Sequence, residues 1–515
     1  MLRRALRGMF VVALFAGLAA SAGAAAPSET AAGAAPAPTG RIVVGRTADV
    51  NTLDPHKATT FHAIQTLELI YGMLVQLNPK LELVPGLARS WRFTDNLRTL
   101  TFTLRTGVRF HDGSAFDSQD VAASLRRILD PATGAVTRAN LGTVTAVETP
   151  NARTVVLRLS SPNTPILAAL ADTNAAILSS ADIASGSFTR TPNGTGPFRF
   201  ASWTPNQVLR LAANRRYWAR TINIANLEFR VIPDELSVLS ALRSRNVQLG
   251  VVSDPLVARQ ARGGGLTVHR TPSLSYHVLQ LNARRGPLTK YFVRLAISCA
   301  LDRKQVLDSA ALGEGSVVGP ITSPAYKSDP NDRPCPKPNL TKARQLLTQA
   351  GHPNGVTLKT IVGTGSYATA VNEAQSAKAQ LQRVGITLDL EIMDFPAYVR
   401  RWLAGDFDAA IALNGGRVDP DTMYGRYFTS TGNLNQVAGY AKPKLDELFA
   451  AGRATVVVWK RRQIYKQISQ ILEDNAVWVW MFSSYDYRIT TQNVRGFVAM
   501  PNGSLQYLRQ ARLVS

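Results

Sequence analysis

The stretch that most constrains the fold of this chain runs from Leu100 to Val121. Leu100, Phe102 and Leu104 alternate with Thr101 and Thr103, the period of a half-buried strand. Gly107 and the triplet His111-Asp112-Gly113 then supply turn residues, glycine being free to take positive φ. Asp117 or Ser118 can cap a helix that continues through Val121 and Leu125. A strand, a tight turn and a helix start are thus written into twenty-odd residues. The same grammar returns downstream. Ala343, Leu346, Leu347 and Ala350 fall at helical spacing, with Gly351 just past the cap. Gln375–Val384 reads as a helix closed by Gly385, Ile386–Leu390 as a strand, and Asp394-Phe395-Pro396 as the capped start of a helix reaching Leu403. Trp478, Trp480 and Phe482 alternate as a buried strand. Helices alternating with strands predict an α/β architecture with βαβ crossovers.

The N-terminus speaks to location. Arg3, Arg4 and Arg7 precede an apolar run, Met9–Ala20, that is short for a membrane span, and Ala22-Gly23-Ala24 fits a signal-peptidase site. Residues 1–24 are expected to be a cleavable signal peptide, with no cysteine nearby for a lipid anchor. Residues 25–40 are almost all Ala, Pro, Gly, Ser and Thr and lack the apolar bulk to order themselves, so the first strand is expected at Ile42-Val43-Val44. The rest suits two or three compact units, without a fixed-period repeat.

Lys and Arg number 58 against 35 Asp and Glu, a formal charge of +23. The basic residues are scattered; even Arg215-Arg216, Arg284-Arg285 and Arg461-Arg462 stand apart. With no basic run and no basic-aromatic alternation, nucleic acid is not the expected partner, and a diffuse positive field suits anionic surfaces or ligands. Cys299 sits in the helical pattern Phe292–Leu301 and Cys335 in a Pro-rich loop; in an oxidising compartment they can pair or remain two thiols. The six histidines, at 56, 62, 111, 269, 277 and 352, show no zinc-ligand spacing. No Gly-x-Ser-x-Gly elbow occurs, and Gly363–Ala368, superficially a dinucleotide loop, reads as a plain strand-to-helix turn. No catalytic residue, metal or cofactor is nominated, so an enzyme is not expected.

Taken together, the motifs resemble those of the extracellular solute-binding proteins of family 5, the peptide- and nickel-binding receptors of ABC importers. Besides Leu100–Val121, the resemblance rests on Leu53-Asp54-Pro55, Tyr71-Gly72-Met73-Leu74-Val75 and Leu87-Ala88-Arg89-Ser90-Trp91. It continues through Asn193–Phe198, Trp203, Asn214–Trp218, Leu281-Asn282, Val293–Ala296, Leu301-Asp302-Arg303, Lys342–Gly351, Phe407-Asp408 and Asp419-Pro420-Asp421. The resemblance implies an α/β, two-lobe periplasmic-binding-protein fold of the class II type, cluster C, with a hinge. Lobe I would span 41–280 with an extra subdomain at about 90–185, lobe II 281–482, and 483–515 would complete lobe I. It also implies a periplasmic monomer that captures a peptide-like or other small solute by lobe closure and delivers it to an ABC permease and its ATPase. A nickel or metal-chelate receptor of the same fold, and a periplasmic hydrolase, are the alternatives.

The ligand cleft is expected between the lobes. Dipeptide-binding relatives carry, before Asp-Pro-Asp, a Trp and then an Asp that pairs with the ligand's amine. Here the segment reads Ala409–Val418, with Asn414 in the Trp place and Gly416 or Arg417 in the Asp place. A guanidinium there would repel an ammonium and favour a carboxylate or phosphate, unless Arg417 points to solvent and Gly415-Gly416 merely turn the chain. The candidate ligand-binding residues are Phe61, His62, Tyr276, Asn282, Asn414, Gly415, Gly416 and Arg417.

Overall fold

The structure is a computed structural model that describes residues 37–219, 222–364 and 367–514. The expected signal peptide and most of the leader lie outside the described residues. The first strand, Thr39–Arg46, starts one residue before the expected end of that leader, because Thr39 already pairs with Ile224.

The largest sheet is organised around one long strand, Trp478–Thr491. Its first half pairs antiparallel with Tyr276–Leu281, and its second half with Leu249–Val252 and Leu266–Pro272. On one side the sheet continues through Ala409–Asn414, Val356–Thr364 and Ile386–Asp394, the last two parallel with a crossover helix at Ala370–Gln382. On the other side Thr39–Arg46 runs parallel to Ile224–Val231, followed by Val208–Ala213 and Phe198–Thr204. The expected βαβ crossovers are present. The helix before Gly385 starts earlier than its apolar spacing suggested, at Ala370. Trp478–Phe482 is buried on both faces rather than alternating, as a central strand covered above and below must be.

Separate apolar cores divide the molecule. One gathers residues from Tyr276 to Phe482. A second joins Ile42, Val44, Phe198 and Phe229 with the chain's end, Leu505, Leu508 and Ala511. A third, from Leu74 to Ile177, lies with a four-stranded antiparallel sheet of Ala88–Thr94, Thr99–Leu104, Thr154–Leu159 and Val144–Asn151. In the first core Cys299 and Cys335 are joined in a disulfide, which settles the choice left open by the sequence.

Leu100–Val121 forms the expected strand, turn and helix. Gly107 and Gly113 take positive φ, and Asp117 caps Ser118–Leu129 with Asp120 reaching back to the Asp117 N–H at 3.0 Å. The turn is a brace. The His111 N–H donates to the Gly194 carbonyl at 2.9 Å, and its ring bridges the Gly194 N–H and the Gly196 carbonyl at 3.3 and 3.1 Å. Burial lowers the imidazole pKa to about 4, so the ring is neutral and serves as one donor and one acceptor. Gly194 and Gly196 in turn press on the end of the helix Phe61–Ile70, where the Gly196 N–H donates to the Ile70 carbonyl at 2.8 Å. A Cβ at Gly194 would overlap that carbonyl, so only glycine permits the approach.

Candidate functional site

The helix braced in this way forms one wall of a cleft of about 650 Å³. Thr60 caps it by accepting from the Ala63 N–H at 3.3 Å. Phe61, Gln65 and Glu68, spaced i, i+4 and i+7, present one face to the cleft, and Phe61 is left 64% exposed. Gln65 donates to the Gly503 carbonyl at 2.8 Å. Glu68 accepts from the Ser504 hydroxyl at 2.7 Å and the Leu505 N–H at 2.5 Å. Those donors do not offset its desolvation, and burial pushes the carboxyl up to about 7. His62 is lowered to about 4 by burial and by Arg46 and Arg488, so it is neutral near pH 7.

The facing wall comes from the strand Ala409–Asn414 and the segment after it. A Cβ at Gly416 would overlap the Leu274 carbonyl, whereas one at Gly415 would meet open space. This places Gly416 flat against a neighbouring loop and carries Arg417 across the cleft. Its Nη1 donates to Asp172 Oδ2 at 2.6 Å, with the two side chains 43% and 23% exposed. Asp172 follows Leu170 and Ala171 of the third core, and Arg417 follows the strand Ala409–Asn414 that packs in the first, so the ion pair joins the two walls. Behind Arg417, Asp419 is gripped by the Arg461 guanidinium at 2.7 and 3.1 Å, and Asp421 by Arg453 at 2.9 Å. Asp421 is pushed up to about 6 by burial. The Asp-Pro-Asp motif therefore anchors the loop that presents Arg417.

The floor is the long shared strand. Ser484, Asp486 and Arg488 line it, together with His277. His277 lies between Glu373 at 2.8 Å and Ser484 at 3.3 Å and stacks on Phe482 at 4.2 Å. Arg488 donates to the carbonyls of Tyr487 and Gly503, both at 2.9 Å.

Of the residues nominated by the sequence, Phe61, His62, Gly415, Gly416 and Arg417 line the cleft. Tyr276 and Asn414 face each other on paired strands beneath it, both buried, with the Asn414 amide donating to the Tyr276 hydroxyl at 3.1 Å. Asn282 lies elsewhere. Its amide donates to the Gly405 and Gln436 carbonyls at 3.1 and 3.3 Å, fastening the loop after Leu281. Sequence reasoning missed Gln65, Glu68, Asp172, Asp486 and Arg488. The polar positions at i+4 and i+7 from Phe61, on the face of the helix that Phe61 shares, were a readable signal for the first two; Asp172 reaches the site only through tertiary structure.

Residues 82–435 match the family "Bacterial extracellular solute-binding proteins, family 5 Middle". The chain belongs to that family. It is 28% identical over 479 residues to the "Probable di/tripeptide-binding protein 5" of Pseudomonas aeruginosa, covering 86% of this chain and 90% of that one. It is 24% identical over 495 residues to the glutathione-binding protein of Escherichia coli strain K12, covering 90% and 93%. Among solved structures, the binding protein AgaA of A. tumefaciens R10 in complex with agropinic acid superimposes with a TM-score of 0.78 at 26% identity, over 92% of this chain and 99% of that one. HbpA2 of Haemophilus parasuis gives 0.83 at 24% identity, over 92% and 100%.

The family-5 protein is thus a solute-binding component of an ABC importer with the two-lobed periplasmic-binding-protein fold. Its family and structural neighbours are binding proteins rather than enzymes, of a periplasmic or extracellular kind. The comparisons do not favour the metal-chelate alternative. Among the described residues no three His, Cys, Asp or Glu side chains gather to hold a metal ion, and no helix is long and apolar enough to cross a membrane.

Proposed function

We propose that the protein, exported to the periplasm by a cleaved signal peptide, captures a small peptide-like or anionic solute by closing two lobes and hands it to an ABC permease and its ATPase. Lobe I would comprise residues 41–280 with the extra subdomain at about 90–185, lobe II residues 281–482, and residues 483–515 would complete lobe I. The observation that carries this reading is the cleft itself: the Phe61–Ile70 wall packs in the second core and the Ala409–Asn414 wall in the first, while the floor is one strand whose two halves join the sheets beside them. A shared strand lets the walls move together without separating, and solute binding shifts the balance toward the closed form.

The absence of an acidic residue at the Gly416–Arg417 position argues against reading a ligand's amine there, and the guanidinium in its place favours a carboxylate or phosphate. Asp172 neutralises Arg417 at 2.6 Å, so an anionic group on the solute would take over that bond. The named relatives, a di/tripeptide-binding, a glutathione-binding and an agropinic acid-bound protein, bracket the expected solutes. The test is to identify the solute that co-purifies, then titrate it into wild type and Arg417→Ala by calorimetry. Loss of one charge-assisted hydrogen bond, worth ~1.5–3 kcal/mol, should weaken binding by about tenfold or more. An unchanged dissociation constant would remove Arg417 from the reading.

A further inference from the structure

Val456, Val457, Val458 and Trp459 are four consecutive large apolar side chains left 53%, 40%, 49% and 61% exposed. They lead into the helix Val458–Asp474, whose inner face is held by buried Tyr465, Ile468 and Leu472. The run is therefore fixed in place by a packed helix while its own side chains are uncovered. Scattered exposed apolar residues are ordinary, but a contiguous run that includes Trp marks a contact surface.

The exposed charge of the segment itself is of one sign. From Ala454 to Gln470 there is no Asp or Glu, while Lys460, Arg462 and Lys466 are exposed. Lys460 stands over the Trp459 ring at 5.6 Å. Arg461, the remaining cation of the segment, is turned inward to Asp419. An apolar tip containing Trp, followed by cations on the solvent face of a helix, has the chemistry of an interfacial element. The ring enters the headgroup layer and the cations meet anionic headgroups. The chain's formal charge, +23 in full and +20 once residues 1–24 with Arg3, Arg4 and Arg7 are removed, adds a long-range attraction of the same sign.

The tip also adjoins the cleft's rim. Just before it, the Thr164 N–H donates to the Arg453 carbonyl at 3.0 Å, and the Thr164 hydroxyl to the Gly452 and Thr455 carbonyls at 3.4 and 3.3 Å. Thr164 belongs to the segment that continues into the cleft-lining residues Ala168 and Ala169.

We infer that Val456–Trp459, with Lys460, Arg462 and Lys466, is a docking surface for an anionic lipid bilayer. Contact there would hold the protein reversibly at the membrane that carries its importer.

The test is co-sedimentation with vesicles of equal phosphatidylglycerol and phosphatidylcholine and with vesicles of phosphatidylcholine alone, at low and physiological salt. Trp459→Ala, Val457→Asp and the pair Lys460→Glu/Lys466→Glu are compared with wild type. Every variant keeps the same N-terminus, so differences between them report the tip. At about a fivefold effect for each cation near an anionic surface, reversing two should weaken binding more than tenfold. Trp459→Ala and Val457→Asp should each weaken it severalfold, with thermal stability and cleft occupancy unchanged because these side chains are exposed. Equal binding by wild type and variants would overturn the assignment. So would binding that ignores phosphatidylglycerol, or no binding to either vesicle, which would leave the tip to a protein partner.

Discussion

At the scale of single residues, the cleft mixes groups whose ionisation is fixed by burial with groups left tunable. Glu68 is the clearest tunable case, with its carboxyl pushed up to about 7. A carboxyl raised in the folded state is protonated there when the unfolded chain has already lost its proton. The contribution of Glu68 to folding is therefore greatest below the unfolded value of about 4.5, falls as pH rises toward 7, and is flat above it. Glu68→Gln should abolish that decline, so that wild type loses about 3 kcal/mol more than the variant between those limits, read by urea unfolding at several pH values. Parallel curves would show that Glu68 is not raised. Five of the eight nominated residues reach the cleft because Phe61 and His62 share a capped helix start and Gly415–Arg417 follow a strand, both local patterns. Asn282 was legible as a motif residue only. Its role in tying Gly405 to Gln436 depends on contacts more than a hundred residues away, which no local pattern encodes.

At the scale of elements, the signature Leu100–Val121 positions one wall of the cleft without lining it. It holds His111 against Gly194 and Gly196, and those glycines hold the end of the Phe61–Ile70 helix. This sequence of contacts explains why strand, turn and helix could be read directly while their purpose could not. The elements obey period and cap rules; the brace is tertiary. The same distinction holds at Gly416, where backbone packs on the Leu274 carbonyl. Gly416→Ala should destabilise the protein by about 1–3 kcal/mol, the cost of overpacking, measured by denaturant unfolding, whereas Gly415→Ala should be near neutral. Comparable losses at both positions would contradict that packing. The disulfide closes a 36-residue separation between a core helix and the loop before the helix Leu340–Gln349. By chain-entropy reckoning, Cys299→Ala/Cys335→Ala should cost ~4 kcal/mol, and a loss below about 1 kcal/mol would mean that the loop is held chiefly by its packing.

At the scale of the whole molecule, the long strand Trp478–Thr491 decides what can move. One half belongs to the sheet beside the first core and the other to the sheet beside the second, so the walls of the cleft share a floor yet bury their apolar residues separately. The α/β class was legible from alternating helices and strands. The continuity of one sheet beneath the cleft was not, because it joins strands from opposite ends of the chain. The central claim is that this cleft holds the transported solute. Gly415 offers a direct way to close it, since it lines the cleft and a Cβ added there meets no atom within 4 Å. Native mass spectrometry of wild type and Gly415→Trp, purified identically and matched for thermal stability, is the decisive measurement. Wild type should carry one small solute per chain, released on denaturation, and Gly415→Trp should carry none. A wild type free of solute, or a solute retained in full by Gly415→Trp, would contradict the account.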